Sequence, residues 1–392
     1  MDDLFNPTPE HRALRQTIRS FAEKEVEPQA AEHDRLEKFN HALFRRLGDL
    51  GILGITVDPQ YNGAGMDAAA VALVHEELSA VDPGFTLAYL AHTLLFANNL
   101  AVNGSDAQKQ RYLPDASTGA RIGGMCMSEP GAGTDVLGLR TTAVRKGDRY
   151  VLNGSKIWIT NGAVSDTELG DMFLVYARME GAPRNKLSMF IVEKGFKGFS
   201  LGQKIKDKLG MRASTTAELV FEDCEVPAEN LVGAEGDATV HMMRNLEIER
   251  LGLAAMSLGI ARRCIEVMNR YATDRKSFGQ SLRDFGQIQR HIAESYAEYM
   301  AGRAYTYWAA SQLELDRPGG RLDSDGVKLY CSTMAKNVAD RAIQTLGGYG
   351  YVGEYRVERL WRDAKLLEIG GGTIEAHQKN MTRELARTEK LP

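Results

Sequence analysis

Residues 125–136 read MCMSEPGAGTDV. One proline, two glycines, two hydroxyl side chains and two carboxylates fall together in this stretch. A Pro-Gly pair followed by Gly133 suits neither a regular helix nor a central strand, so a tight loop is expected. Small residues there let backbone N–H groups approach a ligand closely, and Ser128 and Thr134 can donate or accept beside them. Alone, the stretch reads equally well as a plain surface turn. It stands just past the point where the chain changes from helical to strand-like patterning.

Upstream, residues 1–120 carry a helical period and form an N-terminal α-helical domain. Leu14, Ile18, Phe21 and Ala22 fall on one face, as do Val71, Val74 and Leu78. DPQYNGAG (58–65) is a turn cluster between helices. Phe85 to Leu100 is apolar nearly all round, which predicts a buried helix whose His92 is a satisfied core histidine.

Downstream, residues 121–233 read as a central, mostly antiparallel β domain. RYVL (149–152) and SKIWIT (155–160) flank Asn153-Gly154, a strong hairpin signal. MFLVYAR (172–178), LSMFIVE (187–193) and AELVFEDCEV (217–226) supply further strands. From 234 to 392 helices return and are long: one along Leu253, Met256 and Ile260, one over 285–315 and one over 323–346. Pro318-Gly319-Gly320 marks the turn between the last two. The order predicts an α+β protein in which a C-terminal four-helix bundle closes over the sheet.

At 392 residues the chain exceeds a single core. A net charge of −4 without a Lys/Arg-rich run points away from nucleic acid. Four scattered cysteines with no CxxC point away from zinc and disulfides and toward a reducing compartment. No membrane-spanning apolar run and no secretory or transit pattern is read in the chain, so a cytoplasmic protein without membrane association is expected.

Trp158, at an expected strand end beside Thr160, reads either as a cover for a planar ligand or as a core tryptophan. Together, MCMSEPGAGTDV and KIWITNG (156–162) resemble the acyl-CoA dehydrogenase family of flavoenzymes. The resemblance continues through DKLGMRAS (207–214), LVFEDCEVPAEN (219–230), RYATDRKSFGQ (270–280), QTLGGYGY (344–351) and RDAKLLEIGGGT (362–373). It implies FAD as cofactor, an acyl-CoA substrate, a homotetramer and an electron-transferring flavoprotein as acceptor.

It further implies that Met125, Met127, Ser128, Gly133 and Thr134 line the flavin, with Trp158, Ile159 and Thr160 on its other side. Arg275, with Gln344, Gly347 and Gly348, would bind the FAD pyrophosphate of a partner subunit, Phe278 would also contact FAD, and Thr373 and Glu375 would hold the adenosine half of FAD. Gly286 stands where the family usually has glutamine, with Gln287 and Gln289 as the nearest substitutes, and the loop 165–171 looks longer than usual. GYGYVG (348–353) matches GxGxxG but follows a helical pattern, which argues against a dinucleotide fold.

Abstraction of an α-proton from a thioester needs a desolvated base and a stabilised enolate. Many family members carry that base as glutamate in YEGT near the C-terminus, where this chain has Gly370-Gly371-Gly372-Thr373. Glu249, in NLEIERLGLAA (245–255), lies on the apolar stripe of its helix. From position alone it is either a base with a raised pKa or a structural glutamate paired with Arg250.

The isovaleryl-CoA and long-chain acyl-CoA dehydrogenase types within the family carry their base at this helix position, which assigns the role to Glu249. The resemblance then gives Gly371 N–H to the thioester carbonyl and places Thr134, Glu247, Arg250, Gly370 and Gly372 near the acyl-CoA. Glu249 would take the α-proton while flavin N5 takes the β-hydride. Gly370 in place of tyrosine leaves room for a branch, so a short branched acyl-CoA such as isovaleryl-CoA is favoured over a longer or isoprenoid one. The remaining rivals are a non-dehydrogenating flavoenzyme on the same fold and a non-catalytic acyl-CoA-binding protein.

Overall fold

The structure is a computed structural model, described here for residues 3–317 and 319–387. Pro318, the first residue of the expected turn 318–320, lies outside the described residues. The N-terminal part is helical from Pro9 to Thr118. Its first helix, Pro9–Phe21, starts where Thr8 caps the His11 N–H and Pro9 supplies a preset φ. The helix Ala68–Ser79 is buried over its whole length, and its run of small residues lets other helices come close. Gly259 shows how close: a Cβ there would stand 2.2 Å from Ser79 Oγ and 2.3 Å from the Glu76 carbonyl.

The same crossing buries a charged network. Glu76 accepts from Arg15 (3.0 Å), Arg303 (3.0 Å), Tyr299 (2.9 Å) and Tyr307 (2.6 Å). Glu77 accepts from Arg15, Arg19 and Arg262. Both carboxylates are inaccessible to solvent, so their charge is tolerated only because several cations converge on them.

Pro83–Asn103 is one continuous helical run whose middle, Ala91–Asn98, is a π-helix. By length and composition these 21 residues could cross a membrane, where the sequence reading found no such run. They are apolar on every side because they pack inside the protein, with 78% of the most apolar window buried. His92 is fully buried within the run, its Nε2 donating to the Ala116 carbonyl (2.9 Å) and its Nδ1 accepting from the Gly123 N–H (2.9 Å). It is a neutral, satisfied core histidine.

The sheet comprises β1 (Gly123–Cys126), β2 (Thr142–Lys146), β3 (Arg149–Thr160), β4 (Met172–Met179), β5 (Leu187–Glu193), β6 (Phe199–Lys204), β7 (Thr216–Pro227) and β8 (Leu231–Val232). Its order is β6-β7-β3-β2-β4-β5-β8, with β1 also on β4. Most neighbours are antiparallel, but β1 and β2 both run parallel to β4, one after the other along the same edge. The loop containing SEPGAGTD is what leaves the sheet between them.

Asn153-Gly154 is not a hairpin turn, because β3 runs unbroken from Arg149 to Thr160 and the turn comes earlier, at Gly147-Asp148. The dipeptide forms a bulge against β7, where the register shifts between Leu152 and Gly154. Asn153 bonds the side chain and the N–H of Asp223 across it, and Gly154 (φ +149°) lies too close to Thr141 for a Cβ. A second register shift follows between Lys156 and Ile159 and turns Trp158 (φ +64°) outward.

The C-terminal part is helical: Ala238–Asp274, Gly286–Gln312 and Arg321–Leu346 are long, and Val357–Leu367 and Ile374–Leu385 are shorter. Gly348–Tyr351 is a short helix following a helix, with no strand before it. The loop 165–171 is held by Asp166 to Lys204 (3.1 Å) and Lys206 (2.6 Å).

Candidate functional site

A cavity of about 830 Å³ lies where sheet and helices meet. The loop after β1 brings Met125, Met127, Ser128, Gly133 and Thr134 to its wall, and the bulged end of β3 brings Trp158, Ile159 and Thr160. Trp158 is 61% exposed, so it is not a core tryptophan. The two motifs are locked together by a pair that the sequence reading missed. Lys156, fully buried, donates to Glu129 (2.8 Å) and to the Met127 carbonyl (3.2 Å), and the Ile157 N–H bonds the Ser128 carbonyl (3.0 Å). Glu129 also takes the N–H groups of Arg140 and Thr141, which closes the base of the loop.

From the opposite side, Ala238–Asp274 contributes Glu249 and Arg250, and the turn before Ile374–Leu385 contributes Gly370, Gly371, Gly372 and Thr373. Gly371 has φ +66° and Gly372 φ +107°, conformations that suit glycine. Thr373 caps the following helix, accepting from the Ala376 N–H at 3.2 Å. The cavity is completed by Leu87, Leu90, Ala91 and Leu95 of the buried helical run and by the 208–211 segment, which the sequence reading left without roles. That segment is held by Asp363, whose carboxylate accepts the Met211 N–H at 2.5 Å.

Glu249 is buried, and its Oε2 has no hydrogen-bond partner among the described residues. Burial pushes its carboxyl up to about 7, against the downward pull of Arg250 and Lys328. Arg250 is not its salt-bridge partner; its guanidinium turns to Asp325 Oδ1, 3.2 Å away. No hydrogen bond is formed by the Gly371 N–H among the described residues, so a buried carboxylate and an unspent backbone donor share one wall.

Several expected site residues lie elsewhere. Glu247 is not on the cavity wall; its carboxylate accepts from the backbone N–H groups of Gly319 (3.3 Å) and Gly320 (3.0 Å). Two residues on a helix are about 200° apart, so it cannot share a face with Glu249. Glu375 is in the first turn of its helix and does not reach the cavity. Phe278 is also absent from its wall, as are Arg275, Gln344, Gly347 and Gly348, which the resemblance puts at a partner subunit's FAD and not at this cavity. Arg275 instead lines a separate groove with Tyr271 and Tyr349, and Phe278 stands 96% exposed at a hairpin tip.

Comparison with known proteins gives three family matches in sequence order. They are the acyl-CoA dehydrogenase N-terminal domain over residues 8–120, the middle domain over 124–224 and the C-terminal domain over 239–386. The chain is 41% identical over 384 residues to a mitochondrial isovaleryl-CoA dehydrogenase of Pongo abelii, covering 96% of this chain and 89% of that one. It superposes on butyryl-CoA dehydrogenase from Megasphaera elsdenii with a TM-score of 0.93 and 35% identity, over 99% of this chain and all of that one. A Mycobacterium smegmatis glutaryl-CoA dehydrogenase in complex with FADH2 matches at a TM-score of 0.90 and 28% identity, covering 98% and 96%.

Proposed function

Because the chain belongs to the acyl-CoA dehydrogenase family, we propose that it is an FAD-dependent enzyme introducing an α,β double bond into a short branched acyl-CoA such as isovaleryl-CoA. The observation that carries the reading is the buried Glu249 carboxylate beside the Gly371 N–H, neither with a hydrogen-bond partner among the described residues. A flavin suits the residues present. Met125, Met127 and the exposed Trp158 ring offer apolar faces, and the hydroxyls of Ser128 and Thr160 are engaged by no other described residue. When bound, FAD supplies the acceptor for the electron pair leaving the β-carbon.

The chain's own residues do the rest. Glu249 takes the α-proton, and its burial makes it a stronger base than a solvated carboxylate. Gly371 N–H donates to the thioester carbonyl, where negative charge develops as that proton leaves. The surrounding apolar wall of Leu90, Leu95 and Leu253 keeps water from both. Gly370 lines the cavity with no side chain to obstruct a branched acyl group.

The butyryl-CoA dehydrogenase likeness favours a second reading, a short straight acyl-CoA. An anaerobic titration of the flavin-loaded protein with straight and branched acyl-CoAs, following flavin absorbance, separates the two. Preferential bleaching by isovaleryl-CoA is expected, and a flavin that no thioester bleaches would overturn the dehydrogenase reading.

The protein works as a homotetramer with an electron-transferring flavoprotein as acceptor. Arg275 and the bare Phe278 ring, both away from this chain's own cavity, support a site shared between copies. Four free, buried cysteines accord with a cytoplasmic location.

A further inference from the structure

Behind the cavity wall lies a charged cluster for which the reaction above has no role. Lys328, on Arg321–Leu346, is inaccessible to solvent and does not line the cavity. Its ammonium makes one hydrogen bond among the described residues, to the Gly372 carbonyl at 2.8 Å. His377 Nε2 lies 3.0 Å from the same oxygen, but its Nδ1 faces a carboxylate, and a neutral imidazole can donate from only one of the two nitrogens. His377 Nδ1 in turn is 2.5 Å from Asp325 Oδ1, the atom that Arg250 also engages. Lys328 is therefore the one donor to this backbone oxygen that does not depend on a tautomer, with His377 beside it.

That oxygen belongs to a run of three glycines, the type of segment with the most backbone freedom to lose on ordering. The Gly371 N–H is held in place only as firmly as this turn is held. A buried ammonium is a costly way to hold it, because an apolar side chain could fill the room without desolvating a charge. The charge itself has a neighbour to act on. Burial pushes Lys328 down to about 7, and the carboxylate of Glu249 is foremost among the groups that pull it back up.

We propose that Lys328 is a positioning residue that fixes the Gly372 carbonyl, and through it the Gly371 N–H, while its positive charge holds Glu249 ionised for proton abstraction. The inference rests on the roles given to Glu249 and Gly371 above. Glu249 is faced by Arg250 from its own helix, by Lys328 from Arg321–Leu346 and by the phenol of Tyr176 from β4. Lys328 is faced by Glu249, Arg250, Glu368 and Asp325, with His377 behind it. Arg250 is ion-paired to Asp325 as well, so Lys328 is the second cation acting on Glu249, from the helix opposite.

The test uses flavin-loaded full-length protein as wild type, Lys328→Met, Lys328→Gln and Glu249→Gln. Difference infrared spectra in D2O against Glu249→Gln isolate the Glu249 carboxyl band, and its pH titration gives a midpoint independent of turnover. Removing the charge is expected to move that midpoint up by about one pH unit in both Lys328 variants, about tenfold less carboxylate at pH values below both midpoints. Lys328→Gln keeps a donor for Gly372, so its KM for the acyl-CoA is expected to stay near wild type, whereas Lys328→Met raises it several-fold.

A midpoint unmoved in Lys328→Gln overturns the electrostatic role, and equal KM values in the two variants overturn the positioning role. If Lys328→Met does not fold, the Lys328→Gln midpoint still decides the former, and a several-fold higher KM in Lys328→Gln overturns the latter. A shifted midpoint in a protein that no acyl-CoA bleaches would leave the pairing standing and reject the dehydrogenase reading instead.

Discussion

The Glu249 carboxylate stands at van der Waals distance from the point where a side chain at Gly371 would begin. A Cβ on Gly371 would come within 3.4 Å of Glu249 Oε1 and 2.2 Å of Leu253 Cδ1. The helix-borne acid and the bare turn are thus one arrangement, and Gly371→Ala is the direct probe of it. Its positive φ and the collision with Leu253 together are expected to cost about 2–4 kcal/mol. Denaturant unfolding of Gly371→Ala against wild type measures the loss, and equal midpoints would show that the turn relaxes freely.

Glu249→Gln keeps the shape of the wall and removes the base. Acyl-CoA binding is expected to persist while the rate of flavin reduction falls by about 10²–10⁴-fold. Stopped-flow reduction under anaerobic conditions reads this, and a near-normal rate would assign the base elsewhere.

The pH dependence follows from the same carboxyl. Glu249 acts as a base only when ionised, and burial places its titration at about 7. Flavin reduction is therefore expected to rise about tenfold per pH unit below that value and to level off above it. A profile flat from pH 5 to 8 would contradict the assignment.

Folding stability should run the other way. The folded pKa of Glu249 is raised above its unfolded value of 4.5, so the native state binds this proton more tightly. That contribution is complete below about pH 4.5 and disappears as pH rises through about 7. Above that range the buried charge is a burden, and Glu249→Gln is expected to stabilise the protein on the order of 1–3 kcal/mol at pH 8. Urea midpoints of both proteins at pH 5 and pH 8 would reveal a difference that grows with pH.

Gly370 has ordinary clearance, its nearest would-be contact being the Leu366 carbonyl at 3.6 Å from a Cβ. Gly370→Tyr is accordingly expected to fold and to project a ring into the cavity. It should lower kcat/KM for isovaleryl-CoA about tenfold more than for butyryl-CoA, within the 1–3 kcal/mol that a methyl-sized difference carries. Equal losses would detach Gly370 from substrate choice.

The helices and most strands were legible because hydrophobic period and turn residues agree over long spans. The ends of Gly286–Gln312 and Arg321–Leu346 fall within three residues of the helices read from the sequence. Asn153-Gly154 was misread because a tight turn and a bulge ask the same of a backbone, and only pairing with β7 distinguishes them. Glu247 could have been excluded in advance, since helix geometry turns it away from Glu249. The Glu129–Lys156 pair was out of reach, because nothing local shows that two charges 27 residues apart are buried against each other.

The Glu76–Glu77 network has a consequence for how the chain is made. A ribosome delivers both carboxylates nearly two hundred residues before Arg262, and Tyr299, Arg303 and Tyr307 later still. Until then, Arg15 and Arg19 alone cannot dress two acids for a dry interior. The nascent N-terminal helices must therefore wait, half-assembled and with their apolar faces open, for the far end of the polypeptide. A protein truncated before residue 262 should accordingly need a chaperone rather than form a free-standing domain.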